Sequence, residues 1–297
     1  MPETPDSANG LWRFLFEHLP VRGALLRIGA EWRDLLSHRP YPEAVRQLLG
    51  EAMAAGPLLA SNLKFEGQLT LQAEGDGEVK LLLVQINRQF EMRGTARHEA
   101  IVTGEGLGLL GKGRLGLIIE PPSPAAHYQA LVPLVGRRLQ ESLMHYFHQS
   151  EQLPTWLRLQ AGETDLSGLI LQRLPIGGEI TDEIEDGWHR LGLLADTLQP
   201  QELLSLPGPE VLRRLFHQEA FQIFEPQAVH IRCRCSHGRI SEMLLGLGRD
   251  EVDGVLAEKG KLEVECGFCG CQYVYLESDV RALFAAQSAS PPTTTQH

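Results

Sequence analysis

The stretches IRCRCSHGR (residues 231–239) and CGFCGCQYV (residues 266–274) contain all five cysteines of this 297-residue chain. The first stretch holds a C-x-C pair and the second a C-x-x-C pair, with 30 residues between the two pairs. Two close pairs of thiols at such a separation are typical of a structural zinc site. The sequence therefore predicts a small zinc-binding domain in the last quarter of the chain.

The predicted metal ligands are the four cysteines of the two pairs, which bind one zinc ion per chain in the reduced protein. They are Cys233, Cys235, Cys266 and Cys269. Four thiolates complete the tetrahedral coordination of zinc and leave no position for water or substrate. This donor set favours a structural rather than a catalytic metal.

The C-x-x-C pair lies between two predicted strands, residues 262–265 and 272–276, with Gly267 and Gly270 in the turn. Such a hairpin presents two sulfurs to one ion. On a regular strand the side chains of a C-x-C pair would point to opposite faces. The chain must therefore bend at the first pair, and Ser236-His237-Gly238 favours a bend there.

Cys271 is the odd thiol of the set. We expect it to be a free thiol on the hairpin, although it could replace a ligand or form a disulfide. His237 is a second possible replacement ligand. Both alternatives are left open by the spacing.

The composition restricts the partners. The chain carries 38 acidic and 27 basic residues, a net charge of −11, which repels nucleic acid at long range. From Arg232 to Arg281 there are seven basic and nine acidic residues, whereas a nucleic-acid-binding zinc module usually has a basic face. We therefore expect no nucleic-acid partner.

The sequence also indicates a compartment. The first ten residues, MPETPDSANG, lack the basic and apolar regions of a signal peptide. No run of about 18 apolar residues is present, so we expect no membrane partner. We expect a cytoplasmic protein, and in a reducing compartment paired cysteines favour metal binding or redox chemistry over a structural disulfide framework.

The rest of the chain predicts an α+β fold, because its strands follow one another in meanders rather than in β-α-β units. We expect an N-terminal mixed domain with antiparallel strands at 1–178, a helical linker region at 179–229, the four-cysteine zinc domain at 230–285 and a disordered tail at 286–297. Within the first domain, periodicity predicts two helices, at 42–62 and 136–152, and four strands, at 63–72, 78–87, 114–120 and 155–160.

Two other motifs are set aside. GLGLLG (106–111) satisfies the dinucleotide pattern G-x-G-x-x-G, but a strand-like segment follows it where the pattern needs a helix. HYFH (145–148) places two histidines on adjacent helical turns without a third ligand. No hydrolase motif occurs, and we expect no enzyme activity.

Several ordered motifs resemble one family. The C-x-C…C-x-x-C arrangement resembles that of the heat-shock protein 33 family, the redox-regulated holdase chaperones of bacteria. Further segments similar to motifs of that family are EMRGTAR (91–97), YFHQSEQLPT (146–155), GLILQRLP (168–175) and LRRLFHQEAFQIFEPQAVHIRCRC (212–235). The resemblance covers nearly the whole chain. Cys271, at a position that the family does not use as a ligand, and Gln218 depart from the pattern.

The resemblance implies an ATP-independent chaperone that is inactive when reduced and zinc-bound. It implies that oxidation forms disulfides between Cys233 and Cys235 and between Cys266 and Cys269, and releases the zinc. The oxidised protein would then bind unfolding client proteins under oxidative or heat stress, as a homodimer. The loop-entropy relation gives each of these short bridges roughly 1.6–1.9 kcal/mol, far less than the roughly 10–16 kcal/mol of a structural zinc ion.

Two alternatives belong to other classes. One is a structural zinc protein with a regulatory or nucleic-acid-binding role, against which the acidic cysteine region argues. The other is a thiol–disulfide oxidoreductase that uses Cys266 and Cys269. That activity needs the motif at a helix N-terminus, where the thiol pKa is lowered, whereas the sequence places it on a hairpin.

Overall fold

The computed structural model describes residues 9–62, 67–120, 128–177 and 181–289. Contacts divide the chain into two units, one ending at Arg232 and the other beginning at Cys233. The fold is α+β, as predicted, with largely antiparallel sheets. The described strands are β1 (Gly10–Phe16), β2 (Val21–Ile28), β3 (Gln68–Gly75), β4 (Val79–Asn87), β5 (Glu91–His98), β6 (Gly113–Glu120), β7 (Tyr128–Val132), β8 (Thr155–Ala161), β9 (Leu166–Arg173), β10 (Phe221–Ile223), β11 (His230–Ile231), β12 (Leu262–Glu265) and β13 (Gln272–Tyr275).

The helices alternate with these strands in the first unit and surround a hairpin in the second. The described helices are α1 (Ala30–His38), α2 (Glu43–Asn62), α3 (Leu139–Gln149), α4 (Asp182–Asp196), α5 (Pro200–Ser205), α6 (Gly208–Leu215), α7 (His237–Leu247), α8 (Arg249–Lys259) and α9 (Glu277–Ala289), with a 3-10 turn at Gly106–Leu110. The tail was expected from residue 286, but α9 continues to Ala289, and the remaining tail residues lie outside the described ranges.

The first unit contains two sheets that share one helix. One sheet has the order β10-β1-β2-β9-β8 and the other β11-β5-β4-β3-β6-β7. Helix α2 packs against strands of both sheets and is buried along most of its length, which is typical of a helix that is apolar on all sides. Gly50 permits this close packing, because a Cβ there would lie 2.3 Å from the Cβ of Ala161.

In strand β3, the alternation of apolar and polar residues does not predict the burial of every side chain. The alternating pattern places Thr70 on a polar face, but Thr70 is buried. Strand β3 lies inside the six-stranded sheet between β4 and β6, and the side-chain amides of Gln68 and Gln85 each donate to the Thr70 hydroxyl at 3.4 Å. The predicted residues 63–66 of this strand lie outside the described ranges.

The predicted helical region contains α4, α5 and α6, and these helices cover the outer face of the first sheet. Their buried leucines share one apolar cluster with side chains of β1, β2 and β9. Residues 221–223 differ from the helical prediction, because Phe221 and Ile223 alternate and pair with β1 as an edge strand. The helices are therefore part of the first unit's core rather than an independent helical domain.

Phe216 joins α6 to this sheet. Its ring lies 5.2 Å from the ring of Phe16 and 6.2 Å from those of Phe14 and Phe221, measured between centroids, and it is fully buried. Such aromatic contacts add to the free energy gained from burying the ring.

We expect Phe216→Ala to lower the free energy of unfolding of the first unit by about 3–5 kcal/mol, because it leaves a cavity in this cluster. All four tryptophans lie at or before Trp188, so tryptophan fluorescence during urea unfolding reports on this unit. The matched control is Leu193→Ala in α4, where the side chain is exposed and we expect a change within about 0.5 kcal/mol. Equal effects of the two substitutions would contradict the assigned role of Phe216.

Candidate metal centre

The C-x-x-C pair lies in a tight hairpin, as predicted. Strands β12 and β13 pair antiparallel from Leu262↔Tyr275 to Glu265↔Gln272. In the turn, the N–H of Cys266 donates to the carbonyl of Cys271 and the N–H of Gly270 donates to the carbonyl of Cys266, both at 2.9 Å. Gly270 has a φ of 74°, a left-handed conformation that glycine adopts without a steric cost.

The C-x-C pair lies outside regular structure. Strand β11 ends at Ile231 and α7 begins at His237, so the alternation of a strand does not apply to the two side chains. The Ser236 hydroxyl accepts a hydrogen bond from the N–H of Arg239 at 3.2 Å and caps the helix. The bend that the sequence requires is therefore made by a capped helix start.

The two pairs converge on one point. The four Sγ atoms of Cys233, Cys235, Cys266 and Cys269 all lie within 4.8 Å of one another. The Cys233–Cys266 and Cys235–Cys269 Sγ distances are 3.5 Å and 3.4 Å. A tetrahedron with metal–sulfur bonds of about 2.3 Å has edges of about 3.8 Å. The cluster therefore fits a tetrahedral metal ion, and the thiols are not joined by disulfides.

The remaining candidate ligands lie outside this cluster. Cys271 is exposed and is not one of the four. The ring of His237 lies against that of Tyr275, with centroids 4.6 Å apart. The side-chain hydroxyl of Tyr275 also donates to the carbonyl of His237 at 3.0 Å and contacts Ser241 at 3.1 Å. The sequence analysis did not identify Tyr275, although an aromatic residue on the second strand of a cysteine hairpin is a usable signal.

The environment of the thiols differs from one cysteine to the next. Burial raises the pKa of the Cys233 thiol to about 11, and burial also raises the pKa of the Cys269 thiol. At Cys266 burial acts in the same direction, but the N–H groups of Cys269 and Phe268 donate to its sulfur and bring the pKa down to about 7. Since metal ligands must be thiolates, a metal ion would release protons when it binds here.

The other motifs do not form sites. GLGLLG forms a 3-10 turn that leads into β6, which is not the strand-to-helix arrangement of a dinucleotide site. His145 and His148 are exposed on α3. Within the described ranges, the four cysteines are the one group of clustered metal-ligand side chains.

The chain is similar to known proteins over nearly its whole length. The profile described as Hsp33 protein matches residues 9–276. The chain belongs to the Hsp33 family. A 33 kDa chaperonin of Nitrosococcus oceani is 42% identical over 98% of this chain and 100% of its own, and one of Neisseria meningitidis serogroup A is 41% identical over 92% and 90%. Chaperone is thus the functional class that membership of the Hsp33 family supports.

The fold of a solved family member is also similar. The crystal structure of the 33 kDa chaperonin (Hsp33 homologue) from Thermotoga maritima matches with a TM-score of 0.78 at 21% identity, covering 95% of this chain and all of that one. Across the described parts of the present chain, no helix is both long and apolar enough to cross a membrane.

We expect the reduced protein to hold one metal ion per chain, because the four thiols fit one tetrahedral ion. Elemental analysis after purification with reductant and without chelator measures this directly. The double variant Cys266→Ser, Cys269→Ser should lose the metal, and the matched variant Cys271→Ser should retain it. Loss of the metal in Cys271→Ser, or retention in the double variant, would contradict the ligand set.

Proposed function

We propose that this protein is a redox-regulated, ATP-independent holdase that is inactive while reduced and zinc-bound. Oxidation forms disulfides, releases the zinc and exposes apolar surface that binds unfolding proteins, in the cytoplasm under oxidative or heat stress. The active form is a homodimer. The observation that carries the proposal is the cluster of four thiols within 4.8 Å in a chain of the Hsp33 family.

Zinc is the proposed metal because a four-cysteine tetrahedral donor set is typical of structural zinc. The second unit has little else to hold it together. Up to residue 285, its core consists of seven buried side chains, with six partly buried apolar side chains packed against them. The buried ones are Leu244, Val252, Leu256, Leu262, Tyr275, Val280 and Phe284. A module of this size is marginal without a metal or crosslink, and bound zinc supplies roughly 10–16 kcal/mol to such a fold.

The proposed oxidation joins sequence neighbours, Cys233 with Cys235 and Cys266 with Cys269. In each pair the two metal-bound thiolates lose two electrons to one molecule of peroxide and an S–S bond forms. The O–O bond of the peroxide breaks, and two protons taken from solvent complete two molecules of water. The bridges then close loops of three and four residues, which contribute roughly 1.6–1.9 kcal/mol each. Two such bridges do not replace the zinc, so the second unit loses most of its stabilisation.

The alternative pairing follows the short distances across the cluster, Cys233 with Cys266 and Cys235 with Cys269. Each of those bridges would close a loop of more than 30 residues and contribute close to 4 kcal/mol by the same relation. They would hold the two halves of the cluster together. Bridges between sequence neighbours are therefore the pairing that leaves the two halves of the cluster unlinked and allows the second unit to unfold.

The proposed binding surface comes from the first unit. We assign residues 1–178 to the client-binding domain. We assign residues 179–229 to a linker that loses its packing once the zinc domain has unfolded. Leu191, Leu203 and Leu212 of the linker are buried against the first sheet. Loosening of these helices would expose a contiguous apolar patch, and patches of more than a few hundred Å² seek a protein partner.

We expect the peroxide-treated protein, at one subunit per client, to suppress light scattering of a heated, aggregation-prone client without ATP. The reduced zinc-bound protein should not suppress it, and reduction with zinc restored should abolish the suppression. Oxidised Cys271→Ser should act like the wild type, because Cys271 lies outside the cluster. Equal suppression by the reduced form would contradict the proposed redox switch. No suppression in either state would contradict the proposed chaperone activity.

Peptide mapping of the oxidised protein should find the two neighbouring bridges and an alkylatable Cys271. Cleavage between residues 236 and 265 separates the two cysteine pairs, so neighbouring bridges leave two peptides that are not crosslinked. Crosslinked peptides would show the pairing across the cluster. A bridge between Cys269 and Cys271 would contradict both the proposed partner of Cys269 and the expectation that Cys271 stays a free thiol.

A further inference from the structure

Strand β11 lies on the outer edge of β5 and is only two residues long. It pairs parallel to β5, with His230 opposite Glu91 and Ile231 opposite Met92. The N–H of His230 donates to the carbonyl of Phe90 at 2.9 Å, and the N–H of Arg232 donates to the carbonyl of Met92 at 2.8 Å. The edge of β5 thus accepts an extended segment through backbone hydrogen bonds.

Two carboxylates lie beside this edge and bind the basic side chains of the segment. Glu31 accepts a hydrogen bond from Nδ1 of His230 at 2.9 Å and another from the N–H of Ile231. Glu91 lies 3.2 Å from Nη1 of Arg232. The edge therefore recognises basic residues two positions apart.

The positions between the basic residues are apolar. Val229 is buried in the main core of the first unit, and Ile231 packs against the same core. The bound segment, Val229–Arg232, therefore alternates apolar and basic side chains. Further along β5 the hydroxyl of Tyr41 lies 3.4 Å from the N–H of Ala96, which limits the accessible edge to a short stretch.

We propose that the edge of β5, with Glu31 and Glu91, binds an extended client segment in which apolar and basic residues alternate, and that Val229–Arg232 occupies this site in the reduced protein. Addition of a strand to a free sheet edge is a common way of binding extended peptides. The fit of the chain's own segment identifies the occupant, and the net charge of −11 favours basic segments.

The inference rests on the proposed function, because release of the segment is coupled to the zinc cluster. Cys233 directly follows Arg232. While Cys233 is a metal ligand, it anchors the C-terminal end of the segment. After oxidation that constraint is lost, and a pairing of two residues is too short to be stable by itself.

The test uses a fluorescent peptide with the sequence QAVHIR, residues 227–232, and measures anisotropy with the full-length protein. We expect binding to the oxidised protein at least tenfold tighter than to the reduced zinc-bound protein. Peptides N-methylated at the His and Arg amides cannot donate to β5, and should bind at least tenfold more weakly. The acidic peptide QAVEIE should also bind at least tenfold more weakly.

The protein variants test the carboxylates. The double variant Glu31→Gln, Glu91→Gln should bind the basic peptide at least fivefold more weakly than the wild type when both are oxidised. The matched double variant Glu17→Gln, Glu43→Gln changes the net charge equally at exposed positions and should bind it like the wild type. Equal binding by both double variants, or tight binding of the N-methylated peptide to the wild type, would overturn the inference.

Failure of the proposed function can be distinguished from failure of the assignment of the β5 edge. If the oxidised wild type does not suppress client aggregation, the proposed function fails. If it suppresses aggregation but does not bind QAVHIR, or if saturating QAVHIR leaves the suppression unchanged, the function stands and the assignment of the β5 edge fails. The N-methylated peptides need no protein variant, so the test does not depend on whether a variant folds.

Discussion

The convergence of four thiols is the constraint on which the second unit depends. Two segments separated by 30 residues meet with every pair of sulfurs within 4.8 Å. Neither segment holds this arrangement alone, since one is a hairpin turn and the other an irregular stretch before a capped helix. Without a metal, only weak thiol contacts at 3.4–3.5 Å join the two segments. A tetrahedral metal ion bound by all four sulfurs would crosslink the two segments, which is why the proposed switch acts at these thiols.

The first unit is built differently, and this difference makes a selective switch physically reasonable. Its main core brings α2 together with side chains of both sheets, and it contains several times as many buried side chains as the core of the second unit. Burial of apolar surface contributes roughly 25 cal/mol per Å², so the first unit does not depend on a metal. In the proposed switch, oxidation of the cysteines would therefore act on the part of the chain with the least stability of its own.

Local patterns predicted the local elements. Alternation and helical periodicity located β4, β6, β8 and α2, and the cysteine spacing located the hairpin and the four clustered thiols. Long-range pairings were not predictable in this way. Glu31 and His230 are 199 residues apart, and nothing in the sequence around either residue indicates the contact. Thr70 is buried because of its two neighbouring strands, which the pattern of a single strand does not reveal.

At the junction of Arg232 and Cys233, a short and weakly held strand of the first unit is followed directly by a cysteine of the metal cluster. Besides the partial burial of Ile231 against the core, residues 230–232 are held by a few backbone hydrogen bonds, worth about 1 kcal/mol each. The exposed ion pair of Arg232 with Glu91 adds about 0–1 kcal/mol, and Glu31 accepts a hydrogen bond from the His230 ring. The sum of these contacts is a few kcal/mol, against the roughly 10–16 kcal/mol that bound zinc supplies. An element held this weakly opens locally without unfolding its neighbours. In the proposed switch the short strand would therefore follow the state of the metal centre that begins at Cys233, while β5 and the sheet behind it would remain folded.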